Sequence, residues 1–91
     1  MNEIAKTKAN EMYKLCPEDV KDETGAACVW AKNILMHKEG SGHNLTLTAT
    51  KNGLVVCSLC KPEWKSDHSG EGMDTGAEAI VMATCEYLMG V

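Results

Sequence analysis

The feature of this sequence that most constrains its fold is a hairpin pattern in the middle of the chain. Residues 45–50 alternate between apolar and threonine side chains, which is typical of a half-buried strand. Asn52 and Gly53 follow. This dipeptide favours a two-residue type I′ turn, because both central residues of that turn need a positive φ. Residues 54–60 form a second apolar run, so the sequence predicts an antiparallel hairpin over residues 44–60.

Helical patterns precede the hairpin. Apolar residues recur at helical spacing over residues 3–16, and Pro17 ends that pattern because the residue before a proline avoids the α region. A second helix is predicted from Thr24 to about Lys38, with Gly40 just after its C-terminal end. The acidic connector between the two helices can form a turn of helix, but it has one apolar residue and is expected to bury little.

A third helix closes the chain. Thr75 and Glu78 have the spacing of a capping box, and the residues from there to Leu88 are nearly all apolar. This helix is therefore expected to be buried on most sides. The predicted order is ααββα, which gives an α+β fold in which helices cover an antiparallel hairpin, and residues 1–91 form a single domain.

The pairing predicted around Asn52-Gly53 leaves apolar side chains on both faces of the hairpin. One face would hold Leu45, Leu47, Ala49, Val56 and Cys60. The other face would hold Val55, Cys57 and Leu59 beside the threonines. Since a two-stranded sheet is marginal in water, we expect helices on the first face. The second face would need a further strand, another helix or a second copy of the chain.

Composition and charge limit the classes of function that we expect for this chain. Hydrophobic residues make up 44% of the chain, which is typical of a globular protein. The net charge is −4 and all nine basic residues are lysines. Because arginine dominates nucleic-acid recognition, direct nucleic-acid binding is not expected. The five cysteines lack the spacing of a secreted framework, and no signal or membrane-spanning run is evident, so we expect no membrane association and a cytoplasmic protein.

The cysteines raise the question of a metal site. Cys57 and Cys60 have the spacing of half a zinc site, which His68 would help to complete, and His37, His43 and Cys85 are further candidates. However, residues three apart on a strand face opposite sides of the sheet. We therefore expect structural thiols and no cofactor, with a zinc-stabilised regulatory domain as the alternative.

No catalytic motif stands out. No nucleophile elbow, paired-carboxylate motif, phosphate-binding loop or dinucleotide fingerprint is present. The residues around Cys16 are acidic, and a negative environment raises the pKa of a thiol rather than lowering it. The sequence therefore predicts a protein that is not an enzyme.

Surface recognition remains, and the segment from Lys61 to Met73 is the strongest candidate. It is the longest stretch predicted to lack helix and strand, and loops often carry binding residues. Tryptophan is enriched at binding hot spots, so Trp64 is the predicted anchor, with the alternative that it covers the core. The predicted partner-binding residues are Trp64, Glu63, Asp67, His68, Glu71 and Asp74. The acidic connector at residues 18–23 is a second candidate surface.

Three features together resemble small phage-encoded anti-defence proteins, in particular anti-CRISPR inhibitors. They are the compact acidic chain, the hairpin over residues 44–60, and the capped helix from Asp74 to Gly90. The resemblance covers about half of the chain. It implies a stoichiometric inhibitor that docks on a CRISPR effector or another nuclease complex in the host cytoplasm and blocks access to nucleic acid. It carries no functional residue over to this chain.

The sequence thus predicts a non-enzymatic protein-binding module, with a protein as its partner. The zinc-stabilised domain is one alternative. A homo-oligomeric structural protein, with a homodimer as its simplest form, is the other.

Overall fold

The fold is built from four helices and a three-stranded sheet within residues 3–40, 42–64 and 67–90, which are the residues that the computed structural model describes. In chain order the elements are α1 (Glu3–Leu15), α2 (Glu18–Asp22), α3 (Thr24–Glu39), β1 (Asn44–Ala49), β2 (Val55–Cys60), β3 (His68–Met73) and α4 (Gly76–Leu88). The predicted α+β class is confirmed. None of the helices in these ranges has the length and apolar character that a bilayer crossing requires.

Helix α4 is the centre of the domain, as its apolar sequence predicted. All the other elements pack against it. Ile80 and Val81 are fully buried, and burying side chains of this size stabilises a fold by about 1.5–3 kcal/mol each. The predicted cap is confirmed, because Thr75 Oγ1 accepts a hydrogen bond from the Glu78 N–H at 3.2 Å.

The boundaries of α1 and α3 agree with the sequence to within a residue or two. Gly40 ends α3 with a φ of 79°, and its N–H donates to the Met36 carbonyl at 3.1 Å. The expectation that the acidic connector buries little is wrong. It contains the short helix α2, in which Val20 and Lys21 are both buried.

Lys21 is buried because its charge has several partners. Its Nζ donates to the Tyr13 carbonyl at 3.3 Å and lies 3.2 Å from Glu18 Oε1. It also lies 4.9 Å from the centroid of the Tyr13 ring, within the range of a cation–π contact.

Strand β3 was not predicted, since its six residues contain two glycines and no β-branched side chain. Tertiary packing explains it. A Cβ on Gly70 would overlap the carbonyl oxygen of Ala79 and approach Ala83 N to 3.0 Å. The glycine therefore lets β3 lie directly against the backbone of α4, while antiparallel pairing with β2 holds its other side.

The hairpin forms as predicted, but its turn is one residue longer. The Thr50 N–H donates to the Leu54 carbonyl at 2.8 Å, and the Gly53 N–H donates to the Thr50 carbonyl at 3.1 Å. Gly53 has a φ of 80°, whereas no non-glycine residue in the described ranges has a positive φ. The loop is therefore a three-residue connection ending in a left-handed glycine, and the predicted type I′ turn is wrong.

This extra residue reverses the predicted faces of β2. A one-residue shift in register moves every side chain of a strand to the other face. The observed partners on the helix-covered face are Leu45 with Leu59, Leu47 with Cys57, and Ala49 with Val55. The opposite face pairs Thr46 with Ser58, so it is largely polar and does not need the additional cover that was expected.

Candidate functional site

The predicted partner-binding residues lie in the β2–β3 connection, along β3 and just after it. Glu63 is exposed, and its Oε1 lies 3.3 Å from Lys61 Nζ. A backbone hydrogen bond, together with this lysine, holds the pKa of the Glu63 carboxyl below its usual value. Asp74 is exposed immediately after β3.

Trp64 belongs to a cluster of four rings. It stacks on Tyr87 with 5.3 Å between centroids, and it makes edge contacts with His43 at 5.5 Å and His68 at 5.0 Å. The indole is half-buried and packs against the hydrophobic core. Of the two roles predicted for Trp64, the cover over the core fits this packing, and its role as a binding anchor stays a prediction.

His68 is the buried member of the predicted set, with 7% of its surface exposed. It lies on the helix-covered face opposite Leu59. Burial lowers the pKa of its imidazole, and the charges of Glu86 and Asp67 oppose that shift in part. The side chain is therefore part of the packed interior.

Two predicted acids, Asp67 and Glu71, line a groove that sequence reasoning did not identify. The groove has a volume of about 420 Å³ and runs along the outer edge of β3, between α1 and α4. Both acids are exposed and have hydroxyl donors nearby. Ser58 Oγ donates to Asp67 at 3.5 Å, and Ser69 Oγ donates to Glu71 at 3.4 Å.

Glu86 is the third acid of this groove and was missed. Its carboxylate is buried and accepts the N–H of Ser69, a backbone group on the outer edge of β3. The signal in the sequence was a carboxylate within the apolar run of the last helix, because a buried charge needs a partner. Without β3, the sequence offered no such partner.

The groove is acidic with an apolar floor. Met73 and Met82 line it beside the three carboxylates, and Lys6 supplies a positive charge from α1. Flexible methionines adapt to differently shaped partners. In chemical terms the groove is suited to a basic side chain with an aliphatic stem, namely lysine or arginine.

Three of the five cysteines are buried, namely Cys16, Cys57 and Cys85, whereas Cys60 is half-buried and Cys28 is exposed. Cys57 and Cys60 lie on opposite faces of β2, as predicted, since Cys57 pairs with Leu47 and Cys60 with Asn44. Burial raises the pKa of Cys57 to about 12, so its nucleophilic thiolate is rare near neutral pH. Within the described ranges, no three His, Cys, Asp or Glu side chains lie close enough together to hold a metal ion.

Two further thiols meet across the core. Cys16 Sγ lies 3.6 Å from Cys85 Sγ. Burial and the neighbouring Cys16 raise the pKa of Cys85. This contact links Cys16, just after α1, to α4, where Cys85 is fully buried.

Comparison with known proteins finds no protein-family model, no curated protein and no solved structure that matches this chain.

Proposed function

We propose that this chain is a non-enzymatic protein-binding module that receives a basic segment of its partner in the groove beside β3. One observation carries the proposal: the three carboxylates of Asp67, Glu71 and Glu86 line a single groove together with two methionines. Two of these acids belong to the set predicted from sequence. An acidic groove attracts a basic segment over long range and orients it before contact.

The backbone of β3 is a second reason to place the partner's basic segment in this groove. Glu86 already accepts the outward N–H of Ser69, so the partner meets a strand whose edge is partly satisfied. Recognition here would use side-chain charge and apolar contact rather than addition of a strand. Such an interface associates fast and weakens with salt.

The groove is tested with an octalysine peptide as the probe. We expect NMR shift changes in β3 and in the C-terminal half of α4. Neutralising the two exposed acids with Asp67→Asn and Glu71→Gln should weaken binding roughly three- to tenfold, because each exposed charge pair contributes up to about 1 kcal/mol.

The matched control is Asp19→Asn with Glu23→Gln, which removes two exposed acids from the region of α2. The control variant has the same net charge as the groove variant. An equal loss of affinity in both would show that the peptide responds to overall charge or also binds the acidic connector, and the groove would no longer be the specific site.

The resemblance to anti-CRISPR inhibitors supplies a narrower proposal for the partner. A basic segment bordering the nucleic-acid channel of a nuclease complex has the charge that this groove attracts. Since the net charge of −4 is modest, we propose that the chain blocks the channel by occupying protein surface rather than by mimicking nucleic acid. Stoichiometric inhibition of target cleavage by a CRISPR effector, weakened by the groove variant, would support this. Cleavage unaffected at tenfold molar excess across effector types would contradict it.

A further inference from the structure

The other edge of the sheet is formed by β1, where a row of backbone N–H and C=O groups points away from the sheet. The strand order is β1-β2-β3, so within the described part of the chain β1 pairs with β2 alone, on one side. The hydrogen bond from the Thr50 N–H to the Leu54 carbonyl fixes which residues face β2. Because these bonds alternate along an antiparallel pair, the N–H and C=O groups of Leu45, Leu47 and Ala49 point away from β2.

Nothing in the side chains of β1 protects this edge. The strand Asn44–Ala49 has no charged residue, proline or glycine, and all its residues except Leu45 are exposed. Proteins usually guard such an edge with charges, bulges or a covering element. An open, neutral strand with alternating leucine and threonine is a template for another strand.

Strand β1 and helix α3 both carry exposed apolar side chains. Three of the large hydrophobic side chains that are most exposed lie here: Leu47 at 40%, Met36 at 46% and Val29 at 60%. A groove of about 440 Å³ separates the two elements. Its lining is mostly apolar and includes Leu35, Met36, Leu45 and Leu59, but it also contains Lys32 and His43. A strand that pairs with β1 would lie beside this groove.

We propose that a second copy of this chain pairs with β1, antiparallel, about a two-fold axis at Leu47. In that register Leu47 faces Leu47 of the second copy, Leu45 faces Ala49, and Thr46 faces Thr48. The three outward-facing residues of each strand then exchange about six backbone hydrogen bonds. The two sheets become one antiparallel sheet of six strands.

Charge permits a second copy at the β1 edge more readily than at the β3 edge. Each chain carries a net charge of −4, so two copies repel except where they meet through a neutral surface. The β1 edge is such a surface, and it is self-complementary, as a two-fold interface requires. The β3 edge, with Asp67 and Glu71, would place like charges together.

The interface is small. It uses roughly ten residues from each copy, whereas a standard interface uses about 20–30. We therefore expect a dimer with a dissociation constant of about 1–100 µM, in rapid exchange with monomer.

Sedimentation velocity between about 5 µM and 500 µM tests this directly, with the weight-average mass rising from monomer to dimer. Leu47→Lys and Leu47→Glu each place like charges face to face at the axis, and each should weaken dimerisation at least tenfold. An equimolar mixture of the two variants should restore the dimer, because lysine then faces glutamate. Ile4→Lys, on the exposed face of α1, is the control and should leave the dimer intact.

A wild type that stays monomeric at about 500 µM overturns the proposal. So does a dimer that survives Leu47→Lys, or a pair of folded variants that fail to recover when mixed. These outcomes are independent of octalysine binding, so failure here is distinct from failure of the proposed function.

Amide hydrogen exchange tests the register without a substitution. The outward amides of Leu45, Leu47 and Ala49 should be protected in a concentrated sample and should exchange faster on dilution. The amides of Thr46 and Thr48, which face β2, should be protected in both. Equal exchange of the outward amides at both concentrations would overturn the pairing.

Discussion

The two edge strands of this sheet, β1 and β3, differ in what lies against their outer edges. Strand β3 lies against the backbone of α4 through Gly70, and Glu86 accepts the outward N–H of Ser69. Strand β1 has few contacts with the helices and presents its outward backbone groups to solvent. One edge is thus held from within the chain, while the other is left open.

The two edges also differ in the charged side chains that border them. The β3 edge borders three carboxylates, whereas β1 has no charged side chain. Charges on an edge strand discourage pairing with another strand, and neutral alternating residues permit it. The charges beside β3 therefore agree with the proposed side-chain recognition, and the neutral edge of β1 agrees with the proposed backbone pairing.

We expect the largest effect on stability from Gly70→Ala, which tests whether close packing on α4 holds the β3 edge in place. Its Cβ would overlap the Ala79 carbonyl oxygen, a backbone atom that cannot rotate away. We expect the free energy of unfolding to fall by more than about 3 kcal/mol, measured by urea denaturation.

Gly25→Ala is the matched control. A Cβ at Gly25, in the first turn of α3, would meet only Glu23 Oε1, at 3.7 Å. Replacing this helical glycine should therefore stabilise the protein by about 0.4–1 kcal/mol. If both variants had similar stability, close packing of β3 on α4 would not be what holds that edge.

A somewhat smaller effect is expected from Trp64→Ala, which tests whether the β3 side is held by its ring cluster. The indole stacks on Tyr87 and packs against the core. Its removal should lower the free energy of unfolding by about 3 kcal/mol. Octalysine affinity of the folded protein should stay within about twofold of the wild type.

The opposite result would assign Trp64 to the interface. A thermal midpoint close to the wild-type value, with affinity for octalysine lowered about thirtyfold, is the signature of a hot-spot residue. The sequence alone predicted the anchor and the cover as alternatives, and these two measurements separate them.

The accuracy of sequence reasoning also differs between the two edges. Local patterns predicted β1, β2 and the cap of α4, because alternation and capping depend on residues close in the chain. Strand β3 was missed, since Gly70 and its neighbours form a strand only when α4 lies beneath them. The acidic groove was missed for the same reason: Glu86 and Asp67 are brought together by tertiary packing.

In the hairpin, an error of one residue in the predicted turn length changes the register of the whole strand pair. Asn52-Gly53 predicted a two-residue turn, but a three-residue loop with only Gly53 at positive φ forms instead. Each of these loops is compatible with the same dipeptide. The choice between them depends on which face of β2 packs on α4, and Cys57 and Leu59, both fully buried, decide it.

The smallest expected effect is a pH dependence of the free energy of unfolding, caused by His68 on β3. Because burial lowers the pKa of His68, the unfolded chain takes up a proton at this position at a higher pH than the folded chain does. Stability should therefore be unaffected by His68 above about pH 7 and should fall as the pH drops below about 6.5, until the folded imidazole is itself protonated.

The measurement is the free energy of unfolding between about pH 7.5 and pH 5, with a loss of at most about 1.4 kcal/mol per pH unit from one histidine. The variant His68→Gln should flatten this slope. The control His37→Gln removes an exposed histidine of α3 and should leave it unchanged. Parallel curves for wild type and His68→Gln would show that protonation of His68 is not linked to folding. The buried imidazole would then not distinguish the β3 edge from β1.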